Sequence, residues 1–197
     1  MFKGHMFEQS DLIEWFNENS NIGYVMPFVV DLSGIFRGKR VPSSQVKKMI
    51  ENGVRMPFSA ANVDIWGKDI ENSPLVFKSG DSDGKCLWTG RKPLIMTWND
   101  SRSALLPMSF FTEDGKAFNG DARNALKDMV AKFENFNLKP VIAFELEFYL
   151  ANPKAHDGNL LNPLTGAKKV HDGVLSIDEI SDFSDFLNEL YDCCKLN

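Results

Sequence analysis

Cysteine is scarce in this sequence, which has three cysteines among 197 residues. Cys193 and Cys194 are adjacent, a pair that forms a disulfide only with strain, and Cys86 stands alone. The sequence therefore does not indicate a disulfide framework of the kind that supports small secreted domains. We expect reduced thiols, which agrees with a cytoplasmic location.

Long apolar runs and concentrated positive charge are also missing. No stretch approaches the roughly 18 apolar residues that a membrane helix needs, and the N-terminal residues lack the apolar region of a signal peptide. The formal net charge is -5, and the only dense cationic stretch is RGKR at 37–40. Because phosphate binding needs a concentrated basic patch, we expect neither nucleic acid nor a membrane as a partner.

Several familiar site motifs are absent. His5, His156 and His171 do not have the spacing of metal ligands. The stretch GDSDGK at 80–85 begins like a calcium loop but lacks the later ligands and the closing glutamate, which favours a polar turn. A Walker-type phosphate loop is not present either.

The sequence does contain enough apolar residues for a core, since 43% of its residues are hydrophobic. Strands, a helix, loops and further strands follow one another in its first half, which predicts an α+β fold rather than repeating βαβ units. The predicted elements are a helix over Ser10–Asn19, a hairpin over 24–41 that turns near Ser33 and Gly34, a helix from Ser43 or Ser44 to Asn52, loops over 56–93 with extended NVDIW and PLVF, and strands LIMTW and SALLPMSFF.

Two further helices are predicted in the second half. Asp121 is placed to cap a helix that runs to about Asn135, and Ser176 with Glu179 has the pattern of a capping box at the start of a final helix. A turn-rich excursion over 152–173 precedes that final helix. The side chains expected to face the interior are Leu126, Met129, Val130 and Phe133 on the first helix and Ile180, Phe183, Leu187 and Leu190 on the last.

The stretch AFELEFYL at 143–150 places two glutamates inside an apolar run, and we predict that it is a strand. Side chains alternate along a strand, so Glu145 and Glu147 share one face with Cα atoms about 6.8 Å apart. Carboxylates at this spacing suit two cations, and oxygen ligands favour Mg²⁺ or Mn²⁺. The alternative is that the two glutamates lie on the solvent face of an edge strand.

Four motifs occur in an order that resembles the glutamine synthetase family: DLSGIFRGKRVP, NVDIWG, DGKAFNGDARNAL and AFELEFYL. They span most of residues 24–150 and look closest to the glutamate–polyamine ligases related to γ-glutamylputrescine synthetase. The resemblance implies a β-grasp N-terminal domain over 1–115 and the truncated start of a catalytic domain over 116–197.

The resemblance also implies site residues. Glu145 would hold the cation that bridges the ATP phosphates, and Glu147 the cation nearer the glutamate substrate. Asp64 would match a loop aspartate that reaches the neighbouring subunit's site and helps to bind ammonium, although the serines of the usual signature are absent, which favours a larger amine. Arg37 and Lys39 receive no catalytic role from the resemblance and are interpreted as a charge cluster at the hairpin end.

The implied activity is that of an ATP-dependent, ADP-forming ligase. It would join the γ-carboxylate of glutamate to ammonia or a polyamine through a γ-glutamyl phosphate, with Mg²⁺ or Mn²⁺ as the metal and ATP as co-substrate. The family binds ATP without a Walker loop. Kinship further implies a homo-oligomeric ring, a dodecamer, in nitrogen or polyamine metabolism.

The remaining metal ligands and the nucleotide pocket of the family lie further along than any segment found in this chain. We therefore expect an N-terminal fragment that is inactive alone and belongs to a longer enzyme. Two alternatives remain open: a non-catalytic homologue that serves as a regulatory or assembly subunit, and an unrelated α+β binding domain whose Glu145 and Glu147 face solvent.

Overall fold

The structure, a computed structural model, describes residues 6–98, 102–154, 161–168 and 175–196. It divides into two compact units, Met1–Lys139 with Cys193–Asn197 and Pro140–Asp192. The three histidines and part of the predicted excursion lie outside the described residues. The predicted domain boundary near residue 115 stays a prediction.

The first unit is built on a mixed β-sheet. Its strands within the described residues are β1 (Tyr24–Val30), β2 (Phe36–Gly38), β3 (Val41–Pro42), β4 (Val54–Pro57), β5 (Asp83–Trp88), β6 (Leu94–Ile95) and β7 (Ser103–Phe111). The order is β2-β1-β7-β5-β4, with β3 paired to β1 and β6 paired to β7. The central pair β1 and β7 is parallel, and the other pairings of these strands are antiparallel.

The predicted hairpin is confirmed and supplies one end of the sheet. Strand β1 pairs with β2 so that Val30 lies opposite Phe36, and the chain turns between them. Gly34 has φ of 78°, a left-handed conformation that glycine adopts without a steric penalty. The turn that Ser33 and Gly34 predict is therefore the one that forms.

Helices α1 (Gln9–Glu18) and α2 (Val46–Asn52) belong to the same unit. Leu12 and Trp15 of α1 are buried, whereas Ile13 is 38% exposed. Helix α1 begins earlier than predicted, because Asp11 accepts a hydrogen bond from the amide of Glu8 and Ser10 is inside the helix. Helix α2 follows a short 3-10 turn and ends at Gly53, as predicted, with Val46 and Met49 buried.

The core lies around β7, where every residue except Phe111 is buried. Leu106, Met108 and Phe110 form one hydrophobic cluster with buried side chains of α1 and α2. Cys86 of β5 lies in the same cluster, and burial raises the pKa of its thiol to about 12. None of the three cysteines forms a disulfide in this structure.

The region between α2 and β6 differs from its prediction. Strand β5 and the end of β4 form where loops were predicted. DGKCLW pairs with VRMP on one side and with β7 on the other, although neither stretch alternates regularly. The stretch PLVF is not extended but forms the short helix α3 (Pro74–Phe77). Proline at the first helical position has no amide to leave unpaired, which explains why the helix starts there.

Helix α4 (Ala122–Glu134) begins at the predicted cap. Asp121 is buried and accepts hydrogen bonds from the amides of Arg123, Asn124 and, across to β7, Phe110. The Asn124 side chain donates to the carbonyl oxygens of Phe110 and Phe118. These bonds fasten the start of the helix to the end of β7.

The predicted inward face of α4 is not buried. Leu126, Met129 and Phe133 are 62%, 49% and 39% exposed. The helix is joined to β7 near its N-terminus through Asp121 and Asn124, whereas these three side chains further along it are exposed. Periodicity identified the apolar stripe correctly, but burial also requires a partner.

The second unit contains helix α5 (Ile177–Asp182) and most of α6 (Ser184–Leu196). The Ser176 hydroxyl accepts from the Glu179 amide, as its pattern predicts. The single helix that we predicted is interrupted at Phe183, and Ile180, Leu187 and Leu190 are exposed rather than buried. No helix among the described residues is both long and apolar enough to span a membrane.

Candidate functional site

A short loop in the first unit presents Asp64. An isolated antiparallel bridge between Val63 and Asp69 closes the loop at its base. Within it the Asp64 amide donates to the Lys68 carbonyl at 2.9 Å, and the Gly67 amide donates to the Asp64 carbonyl at 2.9 Å. The backbone of this segment is therefore held in a closed turn.

The carboxylate of Asp64 takes part in this turn through one of its oxygens. Oδ1 accepts hydrogen bonds from the amides of Trp66 and Lys68, both at 2.8 Å. Asp64 itself is half-buried, while Ile65 and Trp66 at the tip are 70% and 81% exposed. The loop thus combines a carboxylate of fixed orientation with two apolar side chains that face outward.

The turn between β1 and β2 contains a buried carboxylate. Asp31 is 2% exposed, and its Oδ1 accepts from the amides of Ser33 and Ile35. Its Oδ2 accepts from Nε of Arg37 at 2.8 Å. Burial raises the pKa of the Asp31 carboxyl, but the hydrogen bonds from Ile35, Arg37 and Ser33 lower it, and the net pKa lies below its ordinary value.

The Arg37 guanidinium also lies beside the Asp64 loop, at Gly67. A Cβ atom built on Gly67 would lie 3.2 Å from Nη1, 3.5 Å from Nη2 and 3.7 Å from Cζ of Arg37. One end of the guanidinium therefore pairs with Asp31 while its terminal nitrogens face the loop. Interpreting Arg37 as a solvated charge at the hairpin end missed this contact. The signal available in the sequence was an aspartate and an arginine on either side of a glycine-containing turn.

Glu145 and Glu147 lie in the second unit, on a segment whose strand prediction is wrong in this structure. Residues 143–150 form no strand, and each of them is exposed. Phe144 and Leu146 are 88% and 82% exposed. A strand is defined by hydrogen bonds to a neighbouring strand, and none of the described residues supplies one to this segment.

The two glutamates are chemically suited to a divalent cation. Mg²⁺ takes one or two carboxylates from a protein and completes its shell with waters and phosphate oxygens, and both glutamates offer such oxygens. Among the described residues no group of three or more His, Cys, Asp or Glu side chains gathers in one place. The assignments of Asp64, Glu145 and Glu147 to a site stay predictions.

A cavity of about 530 Å³ lies within the second unit. Its lining is mainly apolar and includes Phe148, from the same segment as the glutamates, together with Phe183 and Phe186. The rings of Phe148 and Phe186 meet edge to face with centroids 6.5 Å apart. Phe148 therefore has a contact within the unit that Phe144 and Leu146 lack.

Comparison with known proteins identifies the family. Residues 119–196 match the model of the glutamine synthetase catalytic domain. The γ-glutamylputrescine synthetase PuuA of Escherichia coli (strain K12) is 30% identical over 203 residues, an alignment that covers 98% of this chain and 42% of the relative. The chain is therefore similar to glutamine synthetase family proteins along nearly its whole length. The resemblance that the four motifs indicated is thereby confirmed.

Other members of the glutamine synthetase family match over shorter stretches. The glutamine synthetase of Pyrococcus abyssi (strain GE5 / Orsay) is 28% identical over 64% of this chain and 26% of its own length. A solved structure described as a GmaS/ADP complex aligns with a TM-score of 0.51 at 24% identity, covering 65% of this chain and 26% of that one. This chain thus spans less than half the length of each of these relatives, and the structural likeness supports the fold.

Proposed function

We propose that this chain is the N-terminal part of an ATP-dependent ligase that joins the γ-carboxylate of glutamate to ammonia or an amine. The observation that carries the proposal is the 30% identity to a γ-glutamylputrescine synthetase across 98% of this chain. The matched region includes the motifs with Asp64, Glu145 and Glu147. The proposal includes a β-grasp domain over 1–115, the beginning of the catalytic domain over 116–197, and a cytoplasmic location.

In this reaction the glutamate carboxylate attacks the γ-phosphate of ATP, which releases ADP and leaves a γ-glutamyl phosphate. The amine then attacks the acyl carbon and displaces phosphate. The first step brings two anionic groups together and the second requires an amine that has lost its extra proton, so charge neutralisation and alignment are the main demands on the protein. Divalent cations supply that neutralisation when bound.

Glu145 and Glu147 are the residues that we assign to holding Mg²⁺ or Mn²⁺. Strand pairing would place their carboxylates on one face, because side chains alternate along a strand. The exposed backbone and apolar side chains of 143–150 are those of a segment that can accept a neighbouring strand. We propose that such a strand comes from the catalytic domain of the longer enzyme.

Asp64 is the residue that we assign to the amine. Its Oδ1 is occupied by two backbone amides, so its orientation is fixed. Its second oxygen has the charge and the acceptor capacity to bind an ammonium group. By kinship the amine site lies between subunits of a homo-oligomeric ring, into which the Asp64 loop of one subunit reaches.

ADP release is the measurement that tests this function. A longer protein that contains this chain should release ADP from ATP with glutamate plus ammonium, putrescine or another amine, whereas the 197-residue chain should release none. Glu147→Gln should lower the apparent Mn²⁺ affinity of the longer protein by about 100-fold or more, since a charged ligand is lost. Glu14→Gln, at an exposed position of α1, is the matched control and should leave it unchanged.

Three results would contradict the proposal or one of its parts. Turnover by the 197-residue chain would refute its role as an incomplete part of the enzyme. A longer protein that assembles but releases no ADP with any amine would instead indicate a non-catalytic regulatory or assembly subunit. Equal Mn²⁺ titrations of the Glu147→Gln protein and the parent would indicate that the glutamates face solvent.

A further inference from the structure

We propose that Arg37 is a positioning residue for the Asp64 loop. It is held at one end by Asp31 and supports the loop at Gly67 with the other, so that the hairpin turn fixes the orientation of the Asp64 carboxylate. This inference rests on the proposed function for the meaning of Asp64. It adds a residue that the four motifs had left outside the site.

The hairpin turn is a rigid platform for this purpose. Asp31 is buried and accepts three hydrogen bonds, two from the backbone of its own turn and one from Arg37. A carboxylate with this set of donors has little freedom to rotate. The Nε atom of Arg37 is therefore anchored, although the Arg37 side chain is 29% exposed.

The Asp64 loop contacts this platform at two places. The Leu32 amide donates to the carbonyl of Ala61 at 3.2 Å, just before the loop begins. The terminal guanidinium nitrogens face Gly67, at the far side of the loop. The loop is thus joined to the hairpin by a backbone hydrogen bond just before its base, and Gly67 at its far side lies next to the Arg37 guanidinium.

Gly67 is required at this contact for two reasons. Its φ of 80° is in the left-handed region, where other residues are strained. A Cβ atom at that position would also approach Nη1 to 3.2 Å, closer than an ordinary van der Waals contact. A side chain at residue 67 would therefore strain the backbone of the loop and require the guanidinium to shift by a few tenths of an ångström.

The chemistry of the guanidinium matters as well as its charge. Arginine carries donors at both ends of a planar group, so one side chain can pair with Asp31 through Nε and face the loop through Nη1 and Nη2. The single ammonium of lysine has no second end. Arg37→Lys therefore retains the charge, but the lysine cannot pair with Asp31 and lie beside Gly67 at the same time.

Amide hydrogen exchange on the 197-residue chain measures how often the hydrogen bonds that orient Asp64 open. The amides of Trp66 and Lys68 are the donors to its Oδ1. In Arg37→Gln and Arg37→Lys we expect both amides to exchange about tenfold faster, because the loop opens more often. The amide of Phe110, which lies on β7 and donates to Asp121, should exchange at an unchanged rate.

Arg55→Gln is the matched control. Arg55 also forms an ion pair, with Glu113, but it lies on β4 and both partners are exposed. This variant should leave the amides of Trp66 and Lys68 unchanged. If Arg37→Gln does not fold, Gly67→Ala disturbs the same contact from the loop side and should accelerate the same two amides.

Unchanged exchange at Trp66 and Lys68 in a folded Arg37 variant would overturn the inference. Equal acceleration at Phe110 would also overturn it, since Arg37 would then only stabilise the sheet. In an active longer ligase, Arg37→Lys should raise KM for the amine about tenfold at unchanged KM for ATP. An unchanged KM for the amine would overturn the link to substrate. If the parent ligase is inactive, the proposed function fails and the exchange experiment still decides the role of Arg37.

Discussion

The segment SALLPMSFF at 103–111 and the segment AFELEFYL at 143–150 are both rich in apolar residues, and they differ in what surrounds them. The first is β7, which lies between β1 and β5 and is buried except at Phe111. The second is exposed throughout and has no neighbouring strand among the described residues. A sequence pattern states which way side chains would point, whereas the surrounding chain decides whether they are buried.

The largest expected effect is a difference in unfolding free energy between two matched substitutions, one in each segment. Phe110→Ala should lower the free energy of unfolding by about 4 kcal/mol, because it leaves a cavity in the core. Phe144→Ala should change it by less than about 0.5 kcal/mol, because that ring is already in solvent. Urea denaturation followed by circular dichroism measures both. Similar losses from the two variants would show that 143–150 is packed in solution.

The next effect concerns the junction at which β7 ends. Asp121→Ala should cost about 3 kcal/mol, because it removes a helix cap and leaves the buried amide of Phe110 without a partner. Asp128→Ala, at an exposed position of α4, is the control and should cost less than about 0.5 kcal/mol. Equal urea midpoints for the two variants would contradict the conclusion that Asp121 joins the start of α4 to β7.

The smallest expected effect is a pH dependence of the stability of the first unit, which comes from Asp31. The folded-state pKa of Asp31 lies below its ordinary value, so its ion pair with Arg37 stabilises fully above the unfolded pKa of about 3.9. That contribution is lost as the pH falls through the folded pKa. We expect Asp31→Asn to lose less unfolding free energy than the parent as the pH falls below about 4. Parallel pH profiles in urea denaturation would contradict this origin.

Much of the first unit could be predicted from local signals. The turn residues Ser33 and Gly34 lie between two strand-like runs, and the mostly apolar run SALLPMSFF allows few alternatives to a buried strand. Strands β4 and β5 could not be predicted in this way, because VRMP becomes a strand only through pairing with DGKCLW, which in turn pairs with β7.

The candidate site was predictable to a different extent. Order and spacing of the motifs were enough to identify the glutamine synthetase family, because family membership depends on many weak matches together. The contact of Arg37 with Gly67 was not predictable, since it joins positions in different parts of the chain that approach only in the folded unit. The strand around Glu145 and Glu147 was predicted from alternation alone, which does not report on pairing.

The parallel pairing of β1 with β7 has a consequence for co-translational folding. Tyr24 lies opposite Ser103, so the first central strand has left the ribosome long before its partner is synthesised. The hairpin of β1 and β2 can form at once, but the centre of the sheet must wait for residues 103–111. Pairing of such distant segments is slow. During synthesis the inner edge of β1 is therefore an unpaired strand edge, the stage at which the nascent chain most needs protection from aggregation.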